Sequence, residues 1–158
     1  MIKKKNILIL GVTGFLGFHL ANRALKLGWN VYGVSKHKPK NYRIIRKVKY
    51  LFFDLSKEIK FIKLNKYSFD HVVNLSGYAE HKNKILTDTG HFKSVKNLCN
   101  YFKNKKLKSF IQIGSSDEYG KLSTPYLETQ KCKPRGIYGK SKLKSTNYLM
   151  QQNKFSVI

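Results

Sequence analysis

The sequence predicts a doubly wound parallel α/β sheet with helices on both faces, and three observations predict it. Short apolar runs, of the kind a buried parallel strand needs, recur along the chain. Between them lie stretches whose apolar residues recur at spacings of three and four. The first apolar run passes directly into a glycine-rich turn and then a helical pattern. At 158 residues the chain fits one domain that can bury a core. Its hydrophobic share of 41% and aromatic share of 13% are those of a globular chain, not a disordered one.

Taken in order, residues 6–10 (Asn-Ile-Leu-Ile-Leu) read as the first strand. Residues 11–17 form the glycine turn. Residues 18–27 follow at helical spacing, and Gly28 is a natural stop. Residues 30–35 read as the second strand, and 36–47 as a basic loop with a short helix near 42–46. The third strand is expected at 48–53, a helical or irregular crossover at 56–67, and the fourth strand at 71–75. Residues 84–105 contain a long helix, with Phe92, Val95, Leu98, Cys99 and Phe102 on one face. The fifth strand is expected at 109–114, a polar loop with Pro125 and Pro134 next, and a helix at 137–153. Residues 155–158 read as a sixth strand just beginning. The sheet is therefore expected to be incomplete at the C-terminus, the chain being the N-terminal part of a longer protein or a truncated product.

Three motifs carry chemistry. In Gly11-Val12-Thr13-Gly14-Phe15-Leu16-Gly17, Gly11 permits a tight turn and Gly14 a close backbone approach to a pyrophosphate. Gly17 lets the helix pack close to the strand, and the helix start offers N–H groups to phosphate. In Tyr138-Gly139-Lys140-Ser141-Lys142, Tyr138 and Lys142 lie four apart on one helix face. A phenol titrates near pH 10, and a neighbouring ammonium favours its anion, so the pair can make an acid/base that works near neutrality. Ser115 and Ser116 follow the fifth strand, at the strand ends where open α/β sheets bind ligands. A hydroxyl there can steady a substrate oxygen as Tyr138 moves its proton.

These motifs, in this order, resemble the extended short-chain dehydrogenase/reductase family, in particular its NAD(P)-dependent nucleotide-sugar epimerases and dehydratases. Gly11, Gly14 and Gly17 match its G-x-x-G-x-x-G turn. Asp54 and Leu55 match the acidic segment that meets the adenine amino group. Leu75, Ser76 and Gly77 match the segment beside the cofactor. Ser115 stands four residues before Tyr119-Gly120, as the family's catalytic Ser or Thr does. Pro134, Tyr138, Gly139, Ser141 and Lys142 match P-x-x-x-Y-G-x-S-K. The resemblance implies a Rossmann-type, NAD(P)-binding domain over residues 1–158, with the substrate domain absent from this chain. It implies catalytic Ser115, Tyr138 and Lys142. Lys142 holds the nicotinamide ribose and lowers the pKa of Tyr138, which takes a proton from a sugar hydroxyl held by Ser115. The implied cofactor contacts are Gly11, Gly14, Phe15, Leu16, Gly17, Ser35, Lys36, Asp54, Leu55, Leu75, Ser76, Gly77, Tyr138 and Lys142. The substrate is expected to be a nucleotide-linked sugar, touched by Ser116 and Asp117. Epimerisation, dehydration and 4-keto reduction all stay open. So does a module that binds the cofactor without catalysis.

The chain departs from the family pattern at four places. Ser35 and Lys36 stand where many NAD-specific members carry an Asp. A hydroxyl and an ammonium favour a 2′-phosphate, so NADP(H) is expected over NAD(H). Asp117 lacks the acidic partner that dehydratases carry beside it. Glu118 occupies a position that is usually apolar, with no function read for it. His91 stands where the family often has Asn. With the other four histidines it reads as structural or surface, and no metal site is expected.

The net charge of +24 raises nucleic acid as a partner. Only four of the 32 basic residues are Arg, however, and the lysines spread along the whole chain, so no specific nucleic-acid site is expected. No apolar stretch approaches the roughly 20 residues of a membrane span. Cys99 and Cys132 show neither metal nor redox spacing and read as free thiols of a cytoplasmic protein. The two long helices are the candidates for a homodimer contact.

Overall fold

The structure is a computed structural model, and it describes residues 4–78, 80, 82–121 and 124–152. Among these, five strands form one sheet: β1 (Asn6–Leu10), β2 (Asn30–Ser35), β3 (Lys49–Phe52), β4 (His71–Asn74) and β5 (Ser109–Gln112). Their order is β3-β2-β1-β4-β5, and every pairing is parallel. The helices are α1 (Phe15–Lys26), α2 (Lys84–Asp88), α3 (Ser94–Phe102) and α4 (Ile137–Met150). 3-10 segments occupy Asn41–Arg43, Glu58–Leu64 and Ser116–Glu118.

The apolar runs are continuous because both faces of the sheet are covered. On one face Leu8, Leu10, Val34, Val72 and Phe110 meet Val95, Leu98 and Phe102 of α3, Leu149 of α4, and Phe61 and Leu64 of the crossover. On the other face Ile7, Ile9, Val31 and Val73 meet Ala21 and Ala24 of α1. Each fully buried Leu or Phe on these faces contributes roughly 1.5–3 kcal/mol. The small residues of α1 are what let it lie close to the sheet. The expected doubly wound architecture is the observed one.

The chain runs outward from β1 to β2 and β3, then crosses back to β4 and β5 on the other side. That reversal between β1 and β4 opens a crevice at the carboxyl ends of the strands. The element positions follow the sequence reading closely, with one instructive difference. The long helix expected at 84–105 is interrupted by a π-helical turn at Thr89–Lys93. The cause is a close approach: a Cβ on Gly90 would stand 2.7 Å from the Tyr78 Cβ, and His91 reaches the Tyr78 backbone. The helix widens by one residue to admit that contact. The strand expected at 155–158 lies outside the described residues.

Candidate cofactor and catalytic site

The glycine turn is built by backbone contacts. Gly11 takes a positive φ of 79° and donates to the Val34 carbonyl at 2.8 Å. A Cβ there would stand 2.9 Å from the Leu75 carbonyl and the Ser76 nitrogen, so β4's end fills the space a side chain needs. A Cβ on Gly17 would run into the Gly11 carbonyl oxygen, and this absence lets α1 start directly on the turn. Gly14 precedes the first turn of α1 without a side-chain cap, and that turn carries no acidic residue. The helix start therefore keeps its partial positive charge for an anion.

A cleft of about 440 Å³ opens beside this turn. Gly11 and Gly14 line it, with Ser35 and Lys36 from the end of β2, Asp54 and Leu55 after β3, and Leu75, Ser76 and Gly77 after β4. Nine residues expected from four separate stretches of sequence thus share one cavity. Phe15 and Leu16 do not line it and are largely exposed, while Gly17 is buried beneath the turn.

The far end of the cleft is held by a polar network. The buried Ser35 hydroxyl oxygen accepts from the Thr13 N–H at 3.2 Å and the Thr13 hydroxyl at 3.0 Å. Lys36 pairs with Asp54 at 3.3 Å. Burial pushes the Asp54 carboxyl up, but donation from Ser56 and the Lys36 ammonium outweigh it, and the net displacement is downward. Asp54 is thus held as a carboxylate. At the end of β4 the buried Asn74 accepts from the Ser76 N–H at 3.1 Å and donates to Gln112 at 2.7 Å, which shapes the Leu75–Gly77 wall.

The second part of the site lies where β5 meets α4. Tyr138 and Lys142 share a face of α4, and the Lys142 ammonium stands 6.0 Å from the Tyr138 ring centre. Lys142 is 5% exposed and donates to the Ile113 carbonyl at the end of β5. Burial pulls its pKa down, and the charge of Glu118 opposes that. Ser115 caps the 3-10 turn at Ser116–Glu118. Its hydroxyl oxygen accepts from the Asp117 N–H at 3.2 Å, which leaves the O–H as a donor. Ser116 and Asp117 are exposed on the same turn.

Two residues that sequence reading left without a role also enter this corner. Glu118 is buried and accepts from the Ser115 N–H at 2.8 Å and the Thr146 hydroxyl at 2.7 Å. His91 is buried on the π-helical turn, with its ring centre 5.1 Å from that of Tyr138 and Nε2 at 3.2 Å from the Tyr78 carbonyl. The signal for Glu118 was its acidic side chain at an apolar position. For His91 it was Gly90 beside it, inside a helical pattern. Among the described residues no three His, Cys, Asp or Glu cluster to hold a metal ion. None of the described helices is long and apolar enough to cross a membrane.

Comparison with known proteins matches this fold. The solved UDP-Glc/GlcNAc 4-epimerase of Campylobacter jejuni superposes with a TM-score of 0.85 at 24% identity, over 94% of this chain and 49% of that one. The ADP-L-glycero-D-manno-heptose-6-epimerase of Helicobacter pylori gives 0.88 at 20% identity, over 98% and 53%. The Bordetella bronchiseptica enzyme WbmG in complex with NAD and UDP gives 0.88 at 17% identity, over 98% and 52%. The chain thus spans about half the length of each of these three. The family model for the NAD dependent epimerase/dehydratase family matches residues 7–156, from the first strand past α4. With that match over nearly all of its length, the chain belongs to the NAD-dependent epimerase/dehydratase family.

Proposed function

We propose that this chain is the cofactor-binding and catalytic part of an oxidoreductase of the epimerase/dehydratase type that acts on a nucleotide-linked sugar. The observation that carries the reading is the meeting of two places at one sheet edge. The glycine cleft lies at the ends of β1, β2 and β4, and Ser115, Tyr138 and Lys142 gather where β5 meets α4. A nicotinamide dinucleotide fits the cleft on one specific ground: the backbone of Gly11 and Gly14 lines it beside a helix start that has neither a side-chain cap nor an acidic residue. Gly11, Gly14 and the first N–H groups of α1 would hold the pyrophosphate, Asp54 the adenine end, and Lys142 the nicotinamide ribose. When bound, the cofactor supplies the hydride acceptor.

The residues of this chain do the proton work. Tyr138 takes a proton from a sugar hydroxyl. Lys142 lowers the cost of the phenolate by its charge. Ser115 donates its O–H to the same sugar oxygen and keeps it in line with Tyr138. His91 packs edge-on against the Tyr138 ring and limits its rotation. In the full-length protein, Tyr138→Phe should lower turnover of a nucleotide sugar about 10²–10⁴-fold with cofactor affinity kept. Unchanged turnover would reject Tyr138 as the proton acceptor. Absence of turnover in the wild type against a panel of nucleotide sugars, with cofactor bound, would favour a module that binds without catalysis.

The reading also takes NADP(H) over NAD(H). No carboxylate stands at the end of β2, and Ser35, Lys36 and His37 line that side of the cleft. Lys36, now shared with Asp54, is exposed enough to turn to a 2′-phosphate. Lys36→Ala should weaken NADP⁺ binding about tenfold and NAD⁺ binding little, in line with the loss of a charge-assisted contact. Tighter binding of NAD⁺ by the wild type would overturn the preference. The same reading has α3 and α4 in a homodimer contact, checked by sedimentation of the full-length protein, and a cytoplasmic location, in keeping with two unbridged cysteines.

A further inference from the structure

Glu118 is 5% exposed, and a carboxylate is among the costliest side chains to bury. Both of its oxygens are committed. Oε1 accepts from the Ser115 N–H at 2.8 Å, and Oε2 accepts from the Thr146 hydroxyl at 2.7 Å. Those donors belong to different elements, the turn after β5 and the third turn of α4. Gly114 leaves the room for this: a Cβ there would stand 3.0 Å from Oε1. Its neighbour Asp117 is exposed, so solubility does not require a second acid at 118. A leucine would fill the same space without a desolvation cost, yet it would leave the Ser115 N–H and Thr146 hydroxyl without these acceptors.

We propose that Glu118 is a positioning residue that fastens the Ser115 turn onto α4 and serves the buried Lys142 as its counter-charge. The proposal rests on the roles given above to Ser115, Tyr138 and Lys142. One carboxylate then couples the two halves of the catalytic corner. Through Oε1 it fixes where Ser115 aims its hydroxyl. Thr146 follows Lys142 by four residues on α4, so the carboxylate bonded to its hydroxyl lies along the helix face that carries Lys142, and its charge keeps Lys142 an ammonium where burial alone favours the neutral amine. The other titratable groups about Lys142 are Tyr138 on its own helix and His91 on the π-helical turn packed against Tyr138. Asp117, on the same turn as Glu118, is exposed and screened by water.

Glu118→Gln separates the two duties. It keeps an oxygen for the Ser115 N–H and removes the charge. Cofactor affinity, measured by titration from pH 6 to 10, should fall off at lower pH in Glu118→Gln than in the wild type, reaching about threefold or more at the alkaline end. Ser115 amide exchange should stay near wild type in Glu118→Gln and accelerate tenfold or more in Glu118→Leu. A Glu118→Gln profile that overlays the wild type overturns the counter-charge. Unchanged Ser115 exchange in Glu118→Leu overturns the fastening. If Glu118→Leu fails to fold, Glu118→Gln still decides through its pH profile. Lys142→Met isolates the underlying reading. If it binds cofactor as the wild type does at every pH, the role of Lys142 fails, and the counter-charge fails with it.

Discussion

The two halves of the site are made of different material. The cleft at the ends of β1, β2 and β4 is built from backbone: a glycine at positive φ, a second glycine pressed on its carbonyl, and an uncapped helix start. The corner between β5 and α4 is built from side chains with charge: Lys142 and Glu118 are both about 5% exposed, Lys142 donating to the Ile113 carbonyl and Glu118 accepting from the Ser115 N–H and the Thr146 hydroxyl. A phosphate can be met by amide groups that the fold already owns. A group that is to accept a proton must have its pKa tuned, and that needs charges placed in a dry setting. The first kind of site tolerates no added atom. The second tolerates no lost partner.

The largest expected effect tests the backbone half. Gly17→Val drives a side chain into the Gly11 carbonyl, which cannot move without opening β1 from α1. Its cost should be about 3 kcal/mol or more, enough to lose the native fold near 37 °C, read by thermal denaturation. A stable Gly17→Val protein would break the comparison at its root. Gly11→Ala is the next test. Strain at φ 79° and the contact with Leu75 and Ser76 should cost about 1–3 kcal/mol and weaken cofactor binding more than tenfold. Retained affinity would mean the cradle does not need a bare backbone.

Thr146→Val probes the side-chain half. It removes one donor to a buried carboxylate while keeping the shape, and should cost about 1.5–3 kcal/mol in chemical denaturation. A cost near zero would show the Glu118 network to be slack. The smallest effect lies at the opposite end of the sheet and serves as a control. Asp70 accepts from the Asn6 N–H at 2.8 Å and pairs with Lys108 at 3.2 Å. The Asn6 N–H is the main reason its carboxyl sits below the ordinary value, with Lys108 helping and burial opposing. A depressed folded-state pKa adds stability above the unfolded value, which is lost as pH falls through the folded one. Asp70→Asn should cost under about 1 kcal/mol at pH 7, given its partial exposure, and the gap to the wild type should close in acid. Cofactor affinity should not change. A change there would mean the two ends of the sheet are coupled.

The strands, α1 and the glycine cleft were legible because each depends on near neighbours in sequence. Strand apolarity, helical spacing and a turn of seven residues are local properties, and nine predicted residues lie in one cavity. Phe15 and Leu16 flank the glycines and are exposed outside the cleft lining. Glu118 and His91 were not legible as site residues. Glu118 gains its meaning from Thr146, 28 positions on, and His91 from Tyr138 and from Tyr78 across the cleft.

The sequence by itself determined the fold class, the glycine turn between β1 and α1, and the placing of Tyr138 and Lys142 four residues apart on one helix. Each follows from periodicity or from contacts within one or two turns of chain. Only the tertiary structure decided which polar groups are dry. It buried Lys142 and Glu118 in one corner, exposed Asp117 beside Glu118, and set His91 on a widened helical turn against Tyr78 and Tyr138. The physical reason is that desolvation is a property of the whole packed surround, and no spacing along the chain encodes it.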